Sequence, residues 1–401
     1  MIQVPDPLVA IVVLNWNNVR DTRRCLESLR QLTYRHIRII VVDNGSDAAE
    51  RQGLTDALRQ YPEATLVANR ANLGYSGGNN VGIRAALATG AAYILVLNND
   101  TVCDPACIET LVSAAETHPR AGALGPCIYY ADDPEKIWFC GGVLQWKDLS
   151  RGAVHLQTLP KIGTPHTTEF LTGCALFVRR AALEAVAYKG EATENADISE
   201  GHVSRRRNGV TEDATAQSGG AEEGVITTED AAARSSGKTD EVLSGEPQRG
   251  ERAADEGGSR RRPTENEDRG VVDYFDERFF LYFEDIDFNM RLRTEGWGTM
   301  VVPAAKLWHK VSATSLPALA APGLLYYHHR NGLLLAALRG PRFMGIYRHL
   351  WAAAKIVKQL FKLALGRDML QSRAILAGIG DFYRGRFGQY RASRITEYES
   401  L

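Results

Sequence analysis

The sequence predicts an α/β protein built on a mostly parallel sheet flanked by helices, and three observations carry that expectation. Apolar runs rich in β-branched residues, such as "LVAIVVLNW" (8–16), suit strands buried on both faces. Segments with apolar residues at helical spacing separate those runs, as right-handed crossovers between parallel strands require. Polar motifs close the runs ("NWNN", "DNGS" and "NND") at the ends where open α/β sheets bind ligands.

The elements follow in order. After the first strand comes a helix with Cys25, Leu26, Leu29 and Leu32 on one face. The strand "IRIIVVDNGS" and the helix "RQGLTDALRQ" form the next unit. A short strand "ATLVAN" leads through the glycine-rich "NLGYSGGNN" into a helix expected to end at Gly90, and "AYILVLNND" is the fourth strand. "LFVRRAALEAV" and "FDERFFLYFEDIDF" each read as ordered structure, with a helix over about 284–295 and a strand "GTMVVP" after it.

Residues 190–270 break the pattern. They hold about 19 acids against 11 bases and no aromatic residue. Such a segment buries too little apolar surface to offset its ordering entropy, so a disordered insertion is expected. Lengthening a four-residue loop to eighty adds only about 2.7 kcal/mol of closure entropy, which a fold tolerates. The expected organisation is therefore an α/β domain over 8–189, the insertion over 190–270, the rest of the domain over 271–322, and a helical C-terminal region over 323–401.

The net charge of −1 conceals this acidic segment and a basic C-terminus, with about 13 Lys and Arg against 4 acids from Gly323 onward. The arginine triplets at 205–207 and 260–262 lie among acids, so no nucleic-acid partner is expected. The six cysteines form no disulfide framework and the first residues carry no signal-peptide pattern, which points to a cytoplasmic protein. Phe343–Gly366 reads as one long helix with Arg348, Lys355, Lys358 and Lys362 within about 80° of one another. Two readings stand for it: peripheral binding to the inner face of the cell membrane, or packing on its own domain.

Several motifs carry chemistry. Asp43 ends a strand before a Gly turn and suits either hydrogen bonds to a nucleoside or turn chemistry. "NLGYSGGNN" suits close approach of a ligand to a helix N-terminus, yet it is neither a Walker loop nor GxGxxG. Asp100 in "LNND" suits a hard divalent cation or a helix N-cap. Glu284 and Asp285 sit at a helix start among aromatic residues, where the dipole favours an ionised carboxylate that accepts a proton. Asp287 and Arg291 are spaced for an ion pair. His309, expected after a strand, suits either a metal ligand or satisfied structure.

Taken in chain order, these motifs together with "FLTGCALFVRR" resemble the family 2 glycosyltransferases, and most closely their bacterial rhamnosyltransferase-like members. The likeness covers roughly 8–185 and 272–340, with "YYHHRNGL" and "DFYRGRFG" similar to that group's C-terminal segments. The resemblance implies a GT-A, Rossmann-like fold and inverting transfer from a nucleotide-diphosphate sugar, such as dTDP-rhamnose or a UDP-sugar. The implied acceptor is a polysaccharide or lipid-linked saccharide. Asn15, Asp43, Asn72, Gly74, Asn79 and Asn99 would then serve the donor pocket, and Gly173, Cys174 and Trp297 the acceptor. Asp100 and His309 would hold Mg²⁺ or Mn²⁺, and Asp285 would be the general base with Glu284 as its neighbour. Two departures stand out: the insertion, and Asn98 where the DxD metal motif has its first acid.

Two rivals remain at this level. A sugar-phosphate nucleotidyltransferase needs a basic, Gly-rich phosphate loop after the first strand, where this chain has "NWNNVRD". A non-catalytic sugar-nucleotide-binding protein fits the missing DxD acid.

Overall fold

The structure, a computed structural model, describes residues 6–158, 163–188, 272–310 and 321–390. The first half holds β1 (Val9–Asn15), α1 (Val19–Arg30), β2 (Ile37–Asp43), α2 (Ala48–Leu58), β3 (Ala64–Ala68), α3 (Gly74–Ala88) and β4 (Tyr93–Asn98). A short β5 (Thr101–Cys103), α4 (Cys107–Thr117) and a long β6 (Ala121–Tyr130) follow. Next come β7 (Ile137–Phe139), β8 (Gly142–Leu144), β9 (Ala153–His155), β10 (His166–Thr167), β11 (Ala175–Arg179) and α5 (Arg180–Val186). Beyond the insertion lie α6 (Glu284–Thr294), β12 (Gly298–His309), α7 (Pro322–Arg339), α8 (Met344–Ala364) and α9 (Met369–Tyr383).

The main sheet runs β10-β12-β6-β11-β4-β1-β2-β3. Its β3-β2-β1-β4 half is parallel, β11 is antiparallel to both β4 and β6, and β12 runs parallel to β6. This is the α/β architecture expected, with a mixed second half. The β1 and β2 residues Val9–Val13 and Ile39–Val42 are buried, as their unbroken apolar runs require. Register places Asn15 opposite Asp43 and Leu14 opposite Asn98, so the three polar motifs emerge side by side at one edge.

Three expectations need correction. The "GTMVVP" strand does not stop at Pro303; it continues through a register shift between Val302 and Lys306, and His309 is its last residue. The glycine-rich motif is not a loop before a helix, because α3 already begins at Gly74. Asp100 does not cap a helix: it precedes β5, and α4 begins only at Cys107. All six cysteines are free and buried.

The segment expected to be disordered, 190–270, lies outside the described residues. Its two roots meet, since Tyr188 and Asp273 exchange backbone hydrogen bonds of 2.8 and 3.4 Å. β12, which follows the insertion in sequence, pairs with β6, which precedes it.

α7 approaches the 149–150 turn closely at Gly332, where an added Cβ would lie 1.9 Å from the Leu149 carbonyl oxygen. Backbone cannot give way there, so Gly332→Ala should cost about 1–3 kcal/mol in urea unfolding. An unchanged midpoint would show that α7 does not sit this close.

Candidate active site

The strand ends form a buried polar base. Asp43 is fully buried, accepts the Arg51 Nε–H at 3.1 Å and the Ser46 backbone N–H at 3.3 Å, and lies 3.5 Å from Asn15 Nδ2. Its oxygens therefore brace the turn, which is the turn chemistry that "DNGS" offered as one of two readings. Asn15, also buried, accepts the Thr22 hydroxyl at 2.8 Å. Neither lines open space.

Asn44, which the sequence reading passed over, organises the next layer. Its amide nitrogen donates to Asn72 Oδ1 at 3.1 Å and to the Gly74 carbonyl at 2.9 Å. Its oxygen accepts from Asn69 Nδ2 and from the Leu73 N–H, each at 3.1 Å. Asn72 in turn accepts the Gly74 N–H at 2.8 Å. The loop into α3 is thus fixed before any ligand arrives.

The α3 N-terminus is not free to take an anion, because the Phe280 carbonyl accepts the Tyr75 N–H at 2.7 Å and the Ser76 N–H at 3.3 Å. Gly74 has φ +74, and a Cβ there would fall 2.3 Å from the Phe280 oxygen. Phe280, Tyr282 and Phe283 all hold positive φ of 62, 66 and 76. Such backbone costs about 1 kcal/mol or more per residue unless the surroundings impose it. They do. Asn331 on α7 donates to the carbonyls of Phe279, Leu281 and Tyr282 at 2.9, 2.8 and 2.9 Å. The buried Arg330 donates to the Arg278 and Phe279 carbonyls at 3.1 and 2.9 Å.

That loop delivers the acids at the α6 start. Asp285 accepts the Gly173 N–H at 2.9 Å and the Ile286 N–H at 2.8 Å. Burial pushes its carboxyl up to about 6, against the pull of those N–H groups. Glu284 is buried, its Oε2 has no hydrogen-bond partner, and burial with the Asp285 charge beside it pushes it well above the usual carboxylate range. Of the two neighbours, Glu284 is the one whose ionised form has less support, since Asp285 accepts two backbone N–H groups and Glu284 Oε2 accepts none. Burial opposes ionisation of Asp287 too, but Arg291 at 2.8 Å and Arg339 at 2.7 Å hold it below its ordinary value. The expected Asp287–Arg291 pair is present and has Arg339 as a second partner.

Residues 171–174 join this acid to the strand ends. Asn289 clasps Leu171, accepting its N–H at 3.1 Å and donating to its carbonyl at 2.8 Å. The Gly173 carbonyl accepts the Tyr75 hydroxyl at 2.5 Å. The Cys174 carbonyl accepts the Asn98 N–H at 2.9 Å. The Cys174 thiol lies beside His309, and His309 Nε2 is 3.1 Å from Asp100 Oδ1. Burial disfavours the His309 imidazolium, yet Cys174 and Asp100 together raise it well above the ordinary histidine value. Asp285, Gly173, Cys174, His309 and Asp100 thus form one continuous line of contacts.

A cleft of about 510 Å³ opens beside that line, with Trp16, Asn72, Gly74, Asn99, Asp100 and Tyr75 among its walls. Phe280, Leu324, Tyr327 and Tyr390 close its other side. Asp285 is not among the residues that line this cleft. Asn99 lines the cleft while its amide is anchored to Thr22 Oγ1 at 2.9 Å. Asn79 is buried within α3 and donates to the Tyr75 carbonyl at 2.9 Å, so it supports the wall from behind. Trp297 is not brought together with the others: it precedes β12, packs where Gly122 has no side chain, and stands roughly 30 Å or more along that strand from His309.

Residues 10–187 match the family described as glycosyl transferase family 2. The chain carries a family 2 glycosyltransferase domain. An N-acetylglucosaminyl-diphospho-decaprenol L-rhamnosyltransferase of Mycobacterium tuberculosis is 26% identical to this glycosyltransferase over 342 residues, covering 83% of this chain and 85% of the relative. Galactofuranosyltransferase GlfT1 of Mycolicibacterium smegmatis is 36% identical over 102 residues, 25% of this chain and 32% of that protein. Among solved structures, the mannosyltransferase PcManGT of Pyrobaculum calidifontis aligns with 96% of this chain and 89% of its own at 12% identity and a TM-score of 0.44.

Within the glycosyltransferase, Asn331 is the test of how the acid-bearing loop is held. Asn331→Ala removes the side-chain donor from the Leu281 and Tyr282 carbonyls and one of the donors to Phe279, and should cost about 1–3 kcal/mol in stability. Turnover should fall more than donor affinity, since the Phe280–Phe283 backbone sets the place of Asp285. Wild-type stability and turnover would refute the clamp.

Proposed function

We propose that this glycosyltransferase moves a sugar, with inversion, from a nucleoside-diphosphate donor to a hydroxyl of a lipid-linked saccharide. dTDP-rhamnose or a UDP-sugar is the donor class; the relative, named as an N-acetylglucosaminyl-diphospho-decaprenol L-rhamnosyltransferase, supports a rhamnosyl group and a lipid-linked acceptor. The observation that carries the reading is the line of contacts from Asp285 through Gly173 and Cys174 to His309 and Asp100. It puts the Asp285 carboxyl and the Asp100–His309 contact on two sides of one loop.

The donor's diphosphate belongs at the Asp100 end and the acceptor hydroxyl at Asp285. As the hydroxyl oxygen attacks the anomeric carbon, its proton passes to the Asp285 carboxylate and the bond to the diphosphate breaks. A positioned base contributes roughly 10²–10⁴-fold. One displacement needs no nucleophilic carboxylate, which agrees with Glu284 being buried and raised well above the usual carboxylate range. Tyr75, Phe280 and Tyr327 exclude water, so the donor is protected from hydrolysis.

Mg²⁺ or Mn²⁺ fits the Asp100 end. His309 Nδ1 is buried without a hydrogen-bond partner, and His309 Nε2 faces Asp100 Oδ1 at 3.1 Å, a contact a cation would have to replace or bridge. Among the described residues no cluster of three or more metal-ligating side chains exists, so diphosphate oxygens and water would complete the shell. Such an ion neutralises charge on the departing diphosphate.

Asp285→Asn should lower kcat by about 10²–10⁴-fold while leaving donor affinity near normal. The pH profile follows from the raised value. With Asp285 titrating at about 6, kcat/KM should fall as pH drops through 6, because the base becomes protonated. Stability runs the other way: a carboxyl raised in the folded state favours the fold at low pH, and that contribution is lost as pH rises through 6. The Asn variant should therefore melt no lower than wild type at neutral pH. A matching loss of donor affinity would instead assign Asp285 to the donor end.

A further inference from the structure

Nine of the fifteen large apolar side chains that stand exposed among the described residues lie between 343 and 370. On α8, Phe343, Ile346, Leu350, Val357, Phe361 and Leu365 follow one another at helical spacing and occupy an arc of about 100°. Ile346 is 73% exposed, Val357 67% and Phe361 65%. The opposite face is the one that packs inward, through Met344, Trp351, Ala352 and Gln359. An uncovered apolar stripe along a helix about 31 Å long is far more than scattered surface hydrophobes.

The charges beside the stripe narrow the occupant. From Arg339 to Arg367 the chain has seven bases and no acid. Not all are available: Lys355 lies over the Trp351 ring at 4.8 Å and 3.5 Å from Asp148, and Lys362 pairs with Asp368 at 2.8 Å. Arg342, Lys358 and Arg367 remain exposed on the two flanks. A second copy laid on the stripe would set like-charged flanks together, which disfavours it. An anionic lipid surface meets both features, taking the apolar arc into the acyl boundary and the bases at the headgroups. No described helix is long and apolar enough to cross a membrane, so the geometry is that of a helix lying in the interface.

We infer that the outward face of α8 docks the enzyme on an anionic membrane, with the apolar stripe rather than Lys355 and Lys362 as the principal contact. The inference goes beyond the proposed chemistry and does not depend on Asp285. α7 and the residues after α9 line the cleft through Leu324, Tyr327 and Tyr390, so docking through this helical layer suits an acceptor carried on lipid.

The test is co-sedimentation of the full chain with phosphatidylglycerol–phosphatidylcholine vesicles, without sugar nucleotide, beside vesicles of phosphatidylcholine alone. Wild type should pellet with the anionic vesicles and much less with the neutral ones. The triple variant Ile346→Ser, Val357→Ser, Phe361→Ser should partition at least about tenfold less while keeping the wild-type melting temperature, since all three side chains are exposed. Arg342→Glu with Lys358→Glu should weaken binding and remove its salt dependence. Equal pelleting of the triple variant would overturn the inference, as would no preference for anionic vesicles. A concentration-dependent dimer that the triple variant abolishes would overturn it in favour of a second copy.

Discussion

The Gly173 peptide is the point on which the site's geometry turns. Its N–H donates to Asp285, its carbonyl accepts the Tyr75 hydroxyl, and the next residue touches both Asn98 and His309. One peptide thereby ties a helix beyond the insertion, a wall of the cleft and the end of β4. A side chain at position 173 would meet the Tyr75 hydroxyl at 2.6 Å, so only glycine leaves room for the contact. Rigid positioning of this kind is what lets a carboxylate act on a hydroxyl without reorganising first.

The acids at the start of α6 are kept apart in character by what surrounds them. Asp287 has two guanidinium partners and is held below its ordinary value, Glu284 has no partner at Oε2 and is pushed well above it, and Asp285 lies between them at about 6. Three residues in left-handed backbone lead into this start, and the donors that enforce them come from α7. The helical layer therefore supports the loop that carries these acids, although it contributes only a few side chains to the cleft wall.

Much of this was legible in the sequence because the signals were local. Unbroken apolar runs located β1, β2 and β4, and polar residues at their ends located the cleft. The Asp287–Arg291 spacing gave the pair directly. What escaped had no local signature. β6 carries Gly122, Gly125 and Pro126, which read as loop, and Pro303 with the following alanines hid the continuation of β12. Asn44, Asn289 and Asn331 act through hydrogen bonds of their side-chain amides, mostly to backbone groups, up to 118 positions distant for Asn289. No periodicity marks such residues. A polar side chain inside an otherwise apolar helical stretch, as at Arg330–Asn331, is the one hint they leave. Trp297 is the opposite case, since a lone aromatic residue after a helix packs in a core far more often than against a ligand.

The central claim is that residues 100 and 285, nearly two hundred positions apart, address one donor–acceptor pair. A crystal structure with Mn²⁺ and a nucleoside diphosphate tests it most directly. The account predicts an anomalous peak in contact with Asp100 and His309, the diphosphate in the cleft bounded by Asn72 and Tyr75, and Asp285 across the Gly173 loop from it. Metal and diphosphate bound elsewhere, with Asp285 walled off from them, would contradict it.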